Sequence, residues 1–157
     1  MAEKKARTPQ KKARNTGSFG AFITNIRLKD ERRLRQGDVA DKLELSLSYY
    51  SDIEKDYRRP LNAEEMEIFA KLFDLTQEDK IIMYDLASRE TNTIPVDVEN
   101  YIMEDQNGEL ARVALRKAKE VRADEKMWRK FIWELEKKQN QNRGDEEHDS
   151  DEDTQGR

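Results

Sequence analysis

The sequence predicts an all-α protein with a five-helix first domain and a helical extension after it. Apolar residues recur at helical spacing in successive segments, and no stretch alternates apolar and polar residues in the manner of a β-strand. Residues suited to capping helices precede several of these segments. Charged residues make up 41% of the chain and hydrophobic residues 35%, so only part of it can lie in a packed core.

The first three helices are predicted between residues 18 and 56. The first has apolar residues at positions i, i+3, i+4 and i+7, which are Phe19, Phe22, Ile23 and Ile26. After a polar loop, small Ala40 in the second helix allows a close crossing with the third. Ser46 or Ser48 can cap that third helix, which ends well before Pro60.

The two adjacent tyrosines of the third helix should differ in burial. Side chains of neighbouring helical residues point about 100° apart, so Tyr49 and Tyr50 cannot be buried equally. We predict that Tyr50 lies in the core with Ile53 and that Tyr49 is exposed.

Two more helices complete the first domain, and a polar link then leads to the extension. Asn62 and Glu65 have the spacing of a capping box at the start of the fourth helix. Thr76 can cap the fifth. Pro95 suits the first turn of the next helix. We predict that the first domain spans residues 18–90 and the extension residues 91–140.

The last helix of the extension is a candidate dimerisation or partner surface. Its apolar stripe consists of Met127, Trp128, Phe131, Ile132 and Leu135. Trp133 points to the opposite side, and an exposed tryptophan is typical of interfaces. The alternative is that Trp133 packs on a neighbouring helix of its own chain.

Opposite charges are concentrated at the two ends of the chain. Residues 1–16 carry six Lys/Arg against one Glu, and residues 144–157 carry seven acids against one Arg. Such runs are typical of solvated, unstructured segments. We predict a disordered basic arm over residues 1–17 and a disordered acidic tail over residues 141–157.

The composition excludes several classes of function. The chain has no cysteine, and its one histidine, His148, lies in the acidic tail. We find neither a nucleophile–base pair nor a Gly-rich phosphate loop. No apolar run has membrane-spanning length. We therefore expect a cytoplasmic protein that is not an enzyme, holds no cofactor or metal and does not contact a membrane.

The segment LRQGDVADKLELSLSYYSDIEKDYRRP, residues 34–60, resembles the phage-repressor (XRE-type) helix-turn-helix family. The matching positions are Leu34, Gln36, Val39, Ala40, Leu43, Leu45, Ser46, Ile53, Glu54, Arg58 and Pro60. Flanking segments resemble a bacterial branch with a helical C-terminal extension. The resemblance implies a repressor-like domain and a sequence-specific transcriptional regulator. In such a regulator the recognition helix, about residues 47–55, enters the major groove of double-stranded DNA, usually from a homodimer.

The resemblance also implies roles for individual residues. The side chains that would face bases are Leu47, Ser48 and Asp52. Those that would contact phosphates are Gln36, Tyr49, Ser51, Lys55, Arg58 and Arg59. The residues with structural roles are Arg27, Ala40, Ile53 and Glu54. Glu54 is expected to pair with Arg27, or with Lys29 if the loop between the first two helices has no insertion.

The segment departs from the family pattern at three positions. Glu44 and Asp56 stand where the family commonly has glycine, so we expect positive φ at both. Asp52 places a carboxylate on the reading face, where it repels phosphates but can accept a hydrogen bond from cytosine N4.

A second hypothesis is a protein-binding module that reuses the fold, such as an antitoxin, an anti-defence inhibitor or a co-regulator. Residues 18–75 hold ten Lys/Arg and twelve Asp/Glu, whereas DNA-binding domains usually have a basic stripe. Leu47 and Asp52 on the reading face and the acidic tail also favour this hypothesis. A protein partner would then bind through the C-terminal helices.

Overall fold

The computed structural model describes residues 17–148, and over this range it contains helices and no strands. The all-α fold class is therefore confirmed. The helices are α1 Phe19–Lys29, α2 Gln36–Lys42, α3 Leu47–Glu54, α4 Ala63–Leu72, α5 Gln77–Thr91, α6 Val96–Glu104, α7 Gly108–Glu120 and α8 Glu125–His148. None of them is long and apolar enough to cross a membrane. The predicted basic arm, apart from residue 17, and the end of the acidic tail after residue 148 lie outside the described residues.

Helices α1 to α5 enclose the core of the first domain. Helix α1 packs against α3 and α5, and α2 packs against α3. The most deeply buried side chains are Phe19, Ile23, Val39, Tyr50, Ile53, Phe69 and Met83. Burial of an apolar side chain of this size contributes about 1.5–3 kcal/mol, so the core is the main source of stability for this domain.

The helix starts follow from short polar side chains that accept backbone N–H groups. Ser46 Oγ accepts from the Tyr49 N–H at 3.1 Å, so Ser46 caps α3 and Ser48 does not. Asn62 and Glu65 each accept the other's backbone N–H at 2.8 Å and form the predicted capping box of α4. Thr76 caps α5. Each cap satisfies N–H groups that have no partner within the helix.

The chain divides into two compact units after Asp105, not at the boundary predicted after residue 90. The reason is that α6 packs against α5 and that Val96, at its start, lies against the core of the first unit. The second unit contains α7 and α8. Helix α8 continues to His148, which is past residue 140, where the extension was predicted to end.

Candidate nucleic-acid interface

A tight corner between α2 and α3 sets the direction of α3. Ala40 is buried at this corner, where a larger side chain would hold the two helices apart. The Leu45 N–H donates to the Ala40 carbonyl at 2.9 Å. Glu44 has a φ of 57°, as expected from its place in the pattern, and this conformation costs on the order of 1 kcal/mol in a non-glycine residue.

One side of α3 is buried and the other is open to solvent. Tyr50 and Ile53 are at most 1% exposed. On the opposite side, Leu47 is 56% exposed, Ser48 is exposed and the side chain of Asp52 is 32% exposed. Ser48 and Asp52 are four residues apart and share one face, and Leu47, the first residue of α3, lies at its edge. We call this face, formed by Leu47, Ser48 and Asp52, the reading face.

An ion pair under α3 holds the first three helices together. Arg27 on α1 donates to both carboxylate oxygens of Glu54, at 2.6 and 2.8 Å. Gln36, the first residue of α2, donates to the same carboxylate at 2.6 Å. The ion pair predicted between Arg27 and Glu54 is thus present, and Lys29 is exposed instead. Because Arg27 joins α1 and Gln36 joins α2 to Glu54 of α3, the cluster fixes the orientation of the reading face.

The environment of Glu54 favours its ionised form. Burial alone would raise the pKa of this carboxyl, whose side chain is 3% exposed. The hydrogen bonds from Arg27 and Gln36 outweigh burial and hold its pKa below the ordinary value. Glu54 is therefore a charged structural residue at neutral pH.

The segment after α3 folds back and places Arg58 beside the reading face. Its Nε lies 3.6 Å from Oδ2 of Asp52, and its guanidinium lies 5.3 Å from the centre of the Tyr49 ring. The Tyr57 N–H donates to the backbone carbonyl of Asp52 at 2.8 Å and closes the turn. Tyr49 is half-buried, less exposed than predicted, because it lies under Arg58 and against the core. We call Arg58, Asp52 and Tyr49 the arginine clamp.

The remaining side chains predicted to contact phosphates are not all directed to the same side. Ser51 is half-buried on α3, and Lys55 is exposed at its C-terminal cap. Arg59 is turned toward α4 instead, where its Nη1 donates to the Pro60 carbonyl at 3.0 Å and lies 3.5 Å from Oε2 of Glu65. Of the two adjacent arginines, Arg58 therefore accompanies the reading face, and Arg59 supports the start of α4.

Sequence reasoning missed two features of this region. Oδ1 of Asp56 accepts the Gly20 N–H at 2.8 Å and so caps the start of α1 from 36 residues away, a separation at which no local pattern signals the contact. Asp56 has the expected positive φ of 59°. Tyr57 is 76% exposed beside the arginine clamp. The feature of the sequence that could have indicated it is an aromatic residue within a basic segment.

The large apolar side chains of the second unit are exposed to solvent. Trp133 is 56% exposed, and Nζ of Lys137 lies 5.4 Å from the centre of its ring. The alternative prediction that Trp133 packs on a neighbouring helix is wrong for the part of the chain that the structure describes. The stripe on the other side of α8 is also exposed, with Phe131 at 49%.

Among the described side chains, those of residues 17–143, no three His, Cys, Asp or Glu are grouped to hold a metal ion.

Part of the chain matches a known protein family. Residues 25–79 match the family model described as "Helix-turn-helix". The matched range runs from within α1 to the first turn of α5 and contains the α2–α3 corner, the reading face and the arginine clamp. No curated protein and no solved structure matches the chain significantly.

Proposed function

Because residues 25–79 are a helix-turn-helix domain of the phage-repressor (XRE) type, we propose that the protein is a sequence-specific transcriptional regulator. It binds double-stranded DNA as a homodimer, with α3 in the major groove of each half-site. The observation that carries the proposal is the open reading face with Arg58 beside it. Such a regulator acts in the cytoplasm, where its DNA is.

The reading face would contact base edges through three chemically different groups. The Ser48 hydroxyl can donate or accept, and the Leu47 side chain can pack on a thymine methyl. The Asp52 carboxylate can accept from cytosine N4. Its repulsion of phosphates is reduced because Arg58 lies 3.6 Å away. The clamp thus supports DNA binding despite the carboxylate.

Contacts to phosphates would fix the register of α3 on the duplex. The proposed side chains are Gln36, Tyr49, Ser51, Lys55, Arg58 and Arg59. Of the cationic ones, Arg58 is best placed, because its side chain is 55% exposed beside the reading face. Arg59 would first have to leave Glu65, so we expect its contribution to be smaller.

The extension would carry the contacts between subunits or with a protein partner. It contains many exposed apolar side chains, and Trp133 is the most exposed aromatic residue of α7 and α8. We therefore propose Trp133 as a contact residue of this surface.

The function is tested by selecting binding fragments from the DNA that surrounds the gene and measuring affinity against salt. Binding should fall steeply with salt, and Arg58→Ala should weaken it on all sequences while reducing the salt slope by about one. Ser48→Ala should instead change the sequence preference. The control is Lys71→Ala, which removes a more exposed cation, at 75% against 55% for Arg58, from α4. Binding that is equal on every sequence would count against the proposal.

A further inference from the structure

The second unit has no core of its own among its described residues. Every large apolar side chain of residues 106–143 remains partly open to solvent. The exposed ones range from 37% to 69% and are Leu110, Val113, Leu115, Val121, Met127, Trp128, Phe131, Ile132, Trp133 and Leu135. Exposed apolar side chains in this number are typical of an interaction site.

Four of these side chains, Val121, Met127, Trp128 and Phe131, line an open apolar cleft between α7 and α8. Its lining residues are Ala114, Lys117, Ala118, Val121, Ala123, Met127, Trp128 and Phe131. The volume of about 270 Å³ is below the range of small-molecule pockets, which is about 300–1,000 Å³. Apart from Lys117 the lining is apolar, so the cleft offers few groups that could orient a small ligand, and apolar side chains of another polypeptide suit it better.

The two walls of the cleft differ in the size of their side chains. Helix α7 presents Ala114 and Ala118, whereas α8 presents Trp128 and Phe131. A two-fold axis can place the large residues of each copy against the small residues of the other, so the surface can be complementary to itself. We propose that a second copy of this chain covers the cleft in this way.

The charges of the second unit also favour a second copy. Residues 106–143 hold eleven Lys/Arg and six Asp/Glu, a net charge of +5, while residues 144–157 carry −6. The acidic segment of one copy can therefore offset the basic helices of the other. An anionic membrane would attract these helices but repel the acidic segment. The assignment rests on the homodimer of the proposed function, but not on the DNA contacts of α3.

The first test is the mass of the full chain in sedimentation equilibrium. The wild type should show twice the 18.6 kDa mass of one chain. Phe131→Glu should raise the dimer dissociation constant by about a hundredfold, because both copies lose a buried ring and gain a buried charge. Leu115→Glu, at 46% exposure but outside the cleft, is the matched control and should remain dimeric. Circular dichroism should show that both variants keep their helices.

The second test uses the absence of native cysteine in the chain. After oxidation, a mixture of Ala118→Cys and Phe131→Cys chains should form mainly the mixed cross-linked dimer. If the main products are instead dimers of two Ala118→Cys chains or of two Phe131→Cys chains, the proposed pairing of large with small residues is overturned. A wild type that is monomeric at all concentrations would overturn the proposal. Binding of such a monomer to phosphatidylglycerol vesicles would indicate that the cleft faces an anionic membrane instead. A monomer that still selects one DNA sequence would leave the regulator proposal standing, and a dimer that selects none would leave the interface standing.

Discussion

Gly20 lies where α1 passes close to the end of α3. A Cβ atom at this position would lie 2.5 Å from the Glu54 carbonyl oxygen and 2.6 Å from that of Ile53. These are backbone atoms of a helix end, so they cannot move aside as a flexible side chain would. The close approach also brings the Gly20 N–H to Asp56.

We expect Gly20→Ala to destabilise the domain by about 1–3 kcal/mol, as overpacked cores do. Gly37→Ala is the matched control, because nothing lies within 4 Å of its Cβ position. It should stabilise α2 by about 0.4–1 kcal/mol. Urea denaturation at pH 7 measures both changes. Equal changes in the unfolding free energy for the two substitutions would show that the close contact at Gly20 does not determine the stability of the domain.

Single residues were predictable when their role depends on nearby sequence. Ser46 and Glu44 follow from their positions beside α3, and both have the expected role or backbone conformation. Asp56 was expected only at positive φ, because its bond to Gly20 depends on the tertiary fold. Likewise, nothing in the sequence distinguishes Arg58 from Arg59, whose directions depend on Asp52 and Glu65.

At the scale of elements, the buried carboxylate of Glu54 joins three helices. Replacing it leaves Arg27, whose side chain is 12% exposed, without its ion-pair partner. Loss of one member of a buried pair is strongly destabilising. The network should therefore contribute to stability in a pH-dependent manner.

We expect Glu54→Gln to destabilise the domain by about 3 kcal/mol at pH 7. The folded-state pKa of Glu54 is lowered, so its contribution is complete above the ordinary pKa of 4.5 and is lost as the pH falls through the folded value. The difference in unfolding free energy between wild type and variant should thus shrink on acidification. Glu67→Gln, on the exposed face of α4, is the control. A difference independent of pH would contradict this assignment.

The helical patterns in the sequence predicted where the helices lie better than they predicted what packs against each helix. The apolar spacing and caps of α1 to α5 were sufficient because these helices bury their stripes within the same chain. The stripe of α8 was equally clear, but periodicity cannot say what covers it. In the structure, Phe131 and its neighbours remain exposed.

At the scale of the whole molecule, the boundary after Asp105 assigns α6 to the first unit, which contains the helix-turn-helix segment. The sequence placed the boundary at the polar link after residue 90, since composition changes there. Val96 beyond the link packs on the core, and only the tertiary structure shows this contact.

This boundary predicts the behaviour of two truncated chains. A chain ending at Asp105 should unfold cooperatively. A chain ending at Glu90 should be less stable, because it lacks α6 and uncovers the core near Val96. Both retain Glu90, which accepts the Phe19 N–H at 2.8 Å. Thermal unfolding followed by circular dichroism compares them, and equal midpoints would favour the boundary after residue 90.

The arginine clamp has a consequence for the thermodynamics of the proposed binding of α3 to DNA. A free arginine side chain samples many rotamers, and immobilising such a chain on association costs about 0.5–1.5 kcal/mol. Arg58 already lies against the Tyr49 ring and the Asp52 carboxylate, so part of that entropy is lost during folding. Lysine would keep the charge at this position but not the flat guanidinium that stacks on the ring. A substitution that looks conservative would therefore exchange a preorganised contact for a flexible one.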